Sequence, residues 1–199
     1  MRNDRLIAVQ GGSLYTVDEG SGPPIVLLHA SIADHRAWDA LVPFLVGAGY
    51  RVIRYDLRGL GRSATDDVAF SNRADVIAVL DACGVGQAVL VGNSRGGQVA
   101  FDTAIEFPDW VAAVIGVAAG LGGFDGGATP LELELFDESE RLENADPINP
   151  DAVADFDVRF WVDGPGSPPT GSRRPSAKRS VRWIGRNTCR VLSRAGRSC

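Results

Sequence analysis

The chain has 199 residues, of which 45% are hydrophobic and 23% are charged, and its formal net charge is -5. These values are typical of a soluble globular protein long enough to bury a core. No apolar run approaches membrane-spanning length and the N-terminus lacks an apolar signal core, which excludes a membrane partner and predicts a cytoplasmic location. The three cysteines form no metal or redox spacing, in agreement with a reducing compartment.

Strand and helix patterns alternate along the first 118 residues. In chain order they predict a β-hairpin (5–9 and 13–17), a buried strand (25–28), a helix from His35 that Gly47 and Gly49 stop, a strand (51–55), a helix that Ser71 caps, a strand (88–91), a helix after Ser94 and a strand (111–118). Alternation of this kind favours an α/β fold, in which a mostly parallel sheet carries helices on both faces.

A glycine-rich turn connects the strand at 88–91 to the helix that follows it. The turn reads Gly92-Asn93-Ser94-Arg95-Gly96, a G-x-S-x-G pattern between a strand and a helix. Such a turn lifts a serine hydroxyl clear of the sheet, and the helix behind it aims backbone N–H groups at a developing oxyanion. Ser94 is therefore the candidate nucleophile. The alternative is a glycine-rich turn that contains an incidental serine.

The segment 121–165 differs in character from the residues before it. A flexible glycine-rich stretch leads to the acidic amphipathic helix LELELFDESERLENADP, and an aromatic segment that ends near Gly164 follows. Helices inserted after a strand of a sheet enzyme usually fold over the strand ends, so we predict a partial helical lid. A plain pair of surface helices is the alternative. Residues 1–120 then form the core.

The last segment, 166–199, is basic. Beyond Asp163 the chain has nine basic residues and no acidic one, and its few large apolar residues fit neither a helical nor a strand period. We expect disorder or a poorly packed helix here. Basic tails can bind nucleic acid or membranes, but we favour a shifted reading frame in a GC-rich gene as the origin of this text, and we expect no nucleic-acid partner.

Three blocks together resemble the α/β-hydrolase fold family, especially its lactonase, esterase and cofactor-free haloperoxidase-like members. The blocks are LLHASIADHRAW (27–38), RYDLRGLGRSA (54–64) and VGNSRGG (91–97). The resemblance implies that His29 belongs to the oxyanion loop and that the N–H groups of Ser31 and Arg95 are the oxyanion donors. In the second block, the resemblance assigns Asp56 and Arg58 an architectural role beneath the elbow.

The reaction that the resemblance implies is acyl transfer from a small ester or lactone through Ser94. This chemistry needs a base and an oxyanion hole, so we expect no cofactor and no metal. The G-x-G-x-x-A spacing from Gly59 does not continue as the helix that a dinucleotide site needs. The guanidinium of Arg95 has two interpretations, a contact with a substrate carboxylate or a solvated position in the first helical turn.

The triad is incomplete in this chain. Family members place the acid and then the histidine after the serine, whereas both histidines, His29 and His35, precede Ser94. We expect His35 to be a surface residue. Asp125 is a weak candidate for the acid, since an aspartate among glycines is more often a turn residue. The last strands of the family also lack a counterpart, so we interpret the chain as C-terminally truncated or frame-shifted, with impaired activity.

Two alternatives to an impaired hydrolase stay open. In the first, the chain is a non-catalytic ligand-binding protein in which Ser94 is vestigial. In the second, it is half of a split hydrolase whose complementing chain supplies the last strands, the acid and the histidine. The strand at 111–118 would otherwise be an open apolar edge, which also allows a homo-oligomer.

Overall fold

The computed structural model describes residues 2–121, 127–145 and 147–164. Asp125 and the predicted tail at 166–199 lie outside these residues. The elements are β1 (Arg2–Val9), β2 (Gly12–Gly20), β3 (Pro24–Leu28), α1 (Val42–Gly47), β4 (Arg51–Tyr55), β5 (Ala64–Thr65), α2 (Asn72–Ala82), β6 (Ala88–Asn93), α3 (Arg95–Glu106), β7 (Val111–Val117), α4 (Pro130–Glu143) and α5 (Pro150–Asp157).

One sheet organises the first part of the chain, with strand order β1-β2-β4-β3-β6-β7. β1 and β2 form the predicted hairpin, and β2 is also antiparallel to β4. From β4 to β7 every neighbouring pair is parallel. The predicted α/β fold with a mostly parallel sheet is confirmed. The short strand β5, which the sequence did not predict, pairs with β2 at the hairpin end.

The core lies on both faces of the sheet, because alternate residues of a strand point to opposite faces. In β3, Val26 and Leu28 belong to one buried cluster, which includes residues of α2 and α3. Ile25 and Leu27 belong to another, together with Val42 of α1. Helices therefore cover both faces of β3, as the sequence predicted.

The prediction of a single helix from His35 to Gly47 is wrong. The structure has a 3₁₀ turn at His35–Trp38 and, separately, the six-residue helix α1. Asp34 caps the 3₁₀ turn by accepting a hydrogen bond from Arg36 N. Pro43 lies in the first turn of α1. A proline in the interior of a longer helix would remove a backbone hydrogen bond, so it is tolerated at the start of a new helix instead.

The two helices that flank the elbow strand β6 form close to where the sequence predicts them. Ser71 caps α2 by accepting a hydrogen bond from Ala74 N at 3.3 Å. α3 begins directly after Ser94 and ends before Pro108. At the end of the sheet, β7 has exposed side chains at Ile115 and Val117. Among the described residues, β7 pairs only with β6.

Backbone contacts divide the chain into two compact units, Met1–Phe124 and Asp125–Cys199. In the second unit α4 starts with a capping box between Thr129 and Glu132. The rings of Phe136 and Phe160 pack edge to face with centroids 5.6 Å apart. Burial raises the pKa of the Asp157 carboxyl to about 7. The role of these helices as a lid stays a prediction.

No helix within the described residues is both long enough and apolar enough to cross a lipid bilayer.

Candidate active site

The backbone of Ser94 has a conformation that L-amino acids rarely adopt. Its φ is 49° and its ψ is -117°, between the last residue of β6 and the first residue of α3. Ser94 N donates to Val117 O at 3.0 Å, and Ser94 O accepts from Gln98 N at 3.0 Å. The neighbouring strand and helix hold the strained residue in place. Strain of this kind costs about 1–3 kcal/mol and is concentrated at functional sites.

Two glycines allow the strand and the helix to approach each other at this turn. A Cβ on Gly92 would overlap the backbone of Gly96, and a Cβ on Gly96 would overlap the carbonyl groups of Leu28 and His29. The close approach requires glycine at both positions because the colliding atoms are backbone and cannot rotate away. The G-x-S-x-G pattern thus forms a sharp strand-to-helix elbow.

The elbow and the loop after β3 lie at the same edge of the sheet. β3 and β6 are parallel neighbours, and Leu28 is paired with Gly92. Residues 29–31 and 93–95 therefore leave the sheet side by side. The N–H of Arg95 is at the N-terminus of α3, where backbone N–H groups lack an acceptor within the helix. Ser31 is exposed in the turn after His29.

His29 is fully buried, and both of its ring nitrogens have backbone partners. Nδ1 lies 2.7 Å from Ala30 O, and Nε2 accepts a hydrogen bond from Leu57 N at 2.8 Å. This pattern requires a neutral ring protonated at Nδ1. Burial lowers the pKa of His29 below its ordinary 6.5. His29 therefore joins the start of the loop after β3 to the loop after β4.

His35 is buried, so the prediction of a surface histidine is wrong. Its Nδ1 lies 2.6 Å from Asp56 Oδ1, and its backbone N–H donates to the same oxygen at 2.8 Å. Asp56 Oδ2 accepts from Arg62 N at 2.6 Å. The Tyr15 ring lies 5.1 Å from the His35 ring, and the Arg62 guanidinium lies 3.8 Å from the centre of the Tyr15 ring.

Asp34, His35 and Asp56 bring three potential metal-ligand atoms within 4.8 Å of one another. The two carboxylates already accept hydrogen bonds from protein donors, and the His35 ring donates to Asp56. Asp34 binds Arg36 Nε at 2.9 Å, and Asp56 accepts both N–H groups of His35 that face it. A cation at this position would have to displace these donors. We therefore interpret the cluster as a tie between two loops.

Asp56 and Arg58 have the architectural role that the sequence suggested, but they act through different partners. Arg58 Nε donates to Asp75 Oδ2 at 2.9 Å, and its Nη1 donates to Gln10 O at 2.8 Å. The ion pair with Asp75 is buried on both sides. Arg58 thus fixes the 56–63 loop to α2 and to the turn of the opening hairpin, whereas Asp56 fixes it to the loop after β3.

The His35–Asp56 pair is not predicted by the sequence. A weak signal was available, since both residues closely follow the ends of strands that turn out to be neighbours. Arg95 was correctly placed in the first turn of α3, and its side chain is exposed. Asp125, the candidate acid, lies outside the described residues.

A family model described as the alpha/beta hydrolase fold matches residues 23–142, which include the elbow and both neighbouring loops. The chain belongs to the α/β-hydrolase fold family. Membership confirms the resemblance carried by the three sequence blocks.

Curated α/β-hydrolase relatives include epoxide hydrolase B of Mycobacterium tuberculosis (strain ATCC 25618 / H37Rv). It is 36% identical over 128 residues, which are 60% of this chain and 36% of that protein. The non-heme haloperoxidase of Rhodococcus erythropolis is 33% identical over 180 residues, or 85% of this chain and 61% of that protein. The chain thus matches about a third of the first relative and less than two thirds of the second.

Among solved structures, an epoxide hydrolase from Vigna radiata superposes with a TM-score of 0.71 at 20% identity. The match covers 96% of this chain and 68% of that protein. At this level of identity the likeness concerns the α/β-hydrolase fold alone.

Proposed function

We propose that this chain is a hydrolase that transfers the acyl group of a small ester or lactone to Ser94. The observation that carries the proposal is the strained Ser94 backbone at the start of α3. Strain at a solvent-accessible serine, held between a parallel strand and a helix N-terminus, is the geometry that a nucleophile elbow requires. The N–H groups of Ser31 and Arg95 are the proposed oxyanion donors.

The residue type at the elbow favours a carbonyl substrate over an epoxide. Attack of a serine hydroxyl on an ester carbonyl expels the alcohol and leaves an acyl-serine, which water can cleave to regenerate the hydroxyl. Attack of the same hydroxyl on an epoxide carbon would open the ring and leave an ether, which water does not readily cleave. Relatives named epoxide hydrolases therefore support the fold and a hydrolytic reaction more than they support an epoxide substrate here.

The oxyanion loop supports this proposal because it is held on both sides of Ser31. On the N-terminal side of Ser31, His29 accepts a hydrogen bond from Leu57 N. On its C-terminal side, His35 binds Asp56. Donors fixed in advance of the reaction stabilise the tetrahedral intermediate without reorganisation, and each contributes about 3 kcal/mol in enzymes where one has been removed.

A non-catalytic ligand-binding protein is the second candidate function, and the state of the histidines favours it. No histidine follows Ser94 in the sequence. His29 has both ring nitrogens engaged, and the Nδ1 of His35 is bound to Asp56. Loss of the catalytic histidine in another serine hydrolase lowers kcat by about 10⁶. We therefore expect slow turnover from this chain.

The test is hydrolysis of p-nitrophenyl acetate by the purified chain beside its Ser94→Ala variant. We expect slow release of p-nitrophenol that depends on Ser94, because a serine hydroxyl without a general base is a weak nucleophile and the acyl-serine is also hydrolysed slowly. The acetyl group should appear on Ser94 by mass spectrometry. Equal rates for the chain and for Ser94→Ala, with no acetylated Ser94, would favour the ligand-binding function.

A further inference from the structure

A groove of about 330 Å³ lies between the start of α2 and one face of α3. We call it the α2–α3 groove. Its lining includes Phe70, Ser71, Asn72, Arg95, Gln98 and Asp102. The volume is at the lower end of the range for small-molecule sites. Most of these side chains can form hydrogen bonds, so the groove suits a small polar ligand.

The Arg95 side chain lines the groove and differs from the other arginine there. Among the described residues, no hydrogen bond or ion pair engages its guanidinium. Arg73, which also lines the groove, is different because it pairs with Glu106 at the other end of α3. A guanidinium presents a planar set of N–H donors that matches a carboxylate. The charge of Arg95 is therefore available to an anionic ligand.

The groove also has neutral side chains that can donate hydrogen bonds and one acidic side chain, Asp102. Gln98 is one turn along α3 on the same face, and Asn72 is at the first position of α2. Asp102 is two turns from Arg95, about 10 Å along the helix axis. This separation is close to the screening length at physiological salt, about 8 Å. The Arg95 end of the groove therefore favours an anion.

The position of Arg95 next to Ser94 connects the groove to the elbow. Ser94 does not itself line the groove, but its Cα is only about 3.8 Å from that of Arg95. We propose that the α2–α3 groove is a carboxylate subsite, in which Arg95 binds the free carboxylate of a dicarboxylic acid monoester or of a carboxylated lactone. The assignment of an ester or lactone rests on the function proposed above, whereas carboxylate binding does not.

The first experiment measures glutarate binding to the full chain by isothermal titration calorimetry. We expect binding by the unchanged chain, a loss of about 10- to 100-fold in affinity for Arg95→Ala, and partial recovery for Arg95→Lys. Arg141→Ala is the matched control, because Arg141 is an exposed arginine of α4 and does not line this groove. Neutral glutaramide should bind Arg95→Ala and the unchanged chain equally weakly.

Absence of glutarate binding by the unchanged chain, or equal affinity in Arg95→Ala, would overturn the subsite. The second experiment compares hydrolysis of mono-4-nitrophenyl glutarate with that of 4-nitrophenyl butyrate. Arg95-dependent glutarate binding without cleavage of either ester would leave the subsite standing and would count against the hydrolase. Cleavage of both esters at similar rates, without Arg95-dependent binding, would overturn the subsite and would support the hydrolase.

Discussion

Two loop regions at the same edge of the sheet differ in how their polar groups are used. In the elbow after β6, Ser94 has a strained backbone, and its side chain caps no N–H of α3. In the loops after β3 and β4, His29, His35 and Asp56 are buried and joined by short hydrogen bonds. The Ser94 side chain makes no cap hydrogen bond, whereas the neighbouring loops are bound to each other.

This difference shows why residue type alone is a poor guide to a catalytic role. His35 and Asp56 form a buried histidine–carboxylate pair, the combination that activates serine in many hydrolases. Here the same carboxylate also accepts two backbone N–H groups, from His35 and Arg62. The pair joins the loop after β3, which contains Ser31, to the loop after β4.

The strongest test of this comparison is removal of the carboxylate that joins the two loops. Asp56→Ala should lower the free energy of unfolding by about 3–5 kcal/mol, because it breaks a buried pair and leaves two backbone N–H groups unsatisfied. Urea denaturation measures the loss. Asp67→Ala, at an exposed aspartate of the same loop region, should stay within about 0.5 kcal/mol of the unchanged chain. Similar losses in the two variants would mean that Asp56 does not join the two loops.

The elbow is tested by adding one methyl group. Gly96→Ala should lower the free energy of unfolding by about 1–3 kcal/mol, because its Cβ would overlap the backbone of Leu28 and His29. Gly86→Ala is the matched control, since a Cβ at Gly86 meets nothing within 4 Å. Thermal unfolding of both variants measures the effect. A stable Gly96→Ala would mean that β3 and α3 are not in close contact at the elbow.

The features that the sequence predicts correctly are those that depend on local interactions. The elbow is specified by five consecutive residues, and the alternating sheet follows from patterns within single elements. The failures involve pairs far apart in sequence. His35 was assigned to the surface because its partner, Asp56, lies 21 residues away. The helix predicted from His35 fails partly for a local reason, since Pro43 starts a separate helix after the 3₁₀ turn that contains His35.

The neutral state of His29 can be tested through pH. Burial lowers the pKa of His29 in the folded chain below the ordinary 6.5, so the unfolded chain takes up a proton first as the pH falls. The stability that His29 contributes above pH 6.5 is therefore lost as the pH falls below that value, with a limiting slope of about 1.4 kcal/mol per pH unit.

The measurement is urea denaturation of the unchanged chain and of His29→Gln between pH 7.5 and 5. The free energy of unfolding should fall more steeply with decreasing pH in the unchanged chain, because only it has an imidazole at this position. Parallel curves for the two proteins would mean that His29 is protonated to the same extent in both states. In that case its Nε2 would not accept the hydrogen bond from Leu57.

Strain at Ser94 gives the smallest expected effect. Glycine adopts a φ of 49° and a ψ of -117° without the steric cost that a Cβ imposes. Relief of about 1–3 kcal/mol of strain exceeds the entropic cost of glycine, about 0.4–1 kcal/mol. Ser94→Gly should therefore unfold at a higher temperature than Ser94→Ala, and both should lose the acyl-serine. Because neither variant has a hydroxyl, a difference in stability between them reports the backbone alone. If Ser94→Gly were the less stable variant, the elbow would be unstrained, and the observation on which the proposed nucleophile rests would be lost.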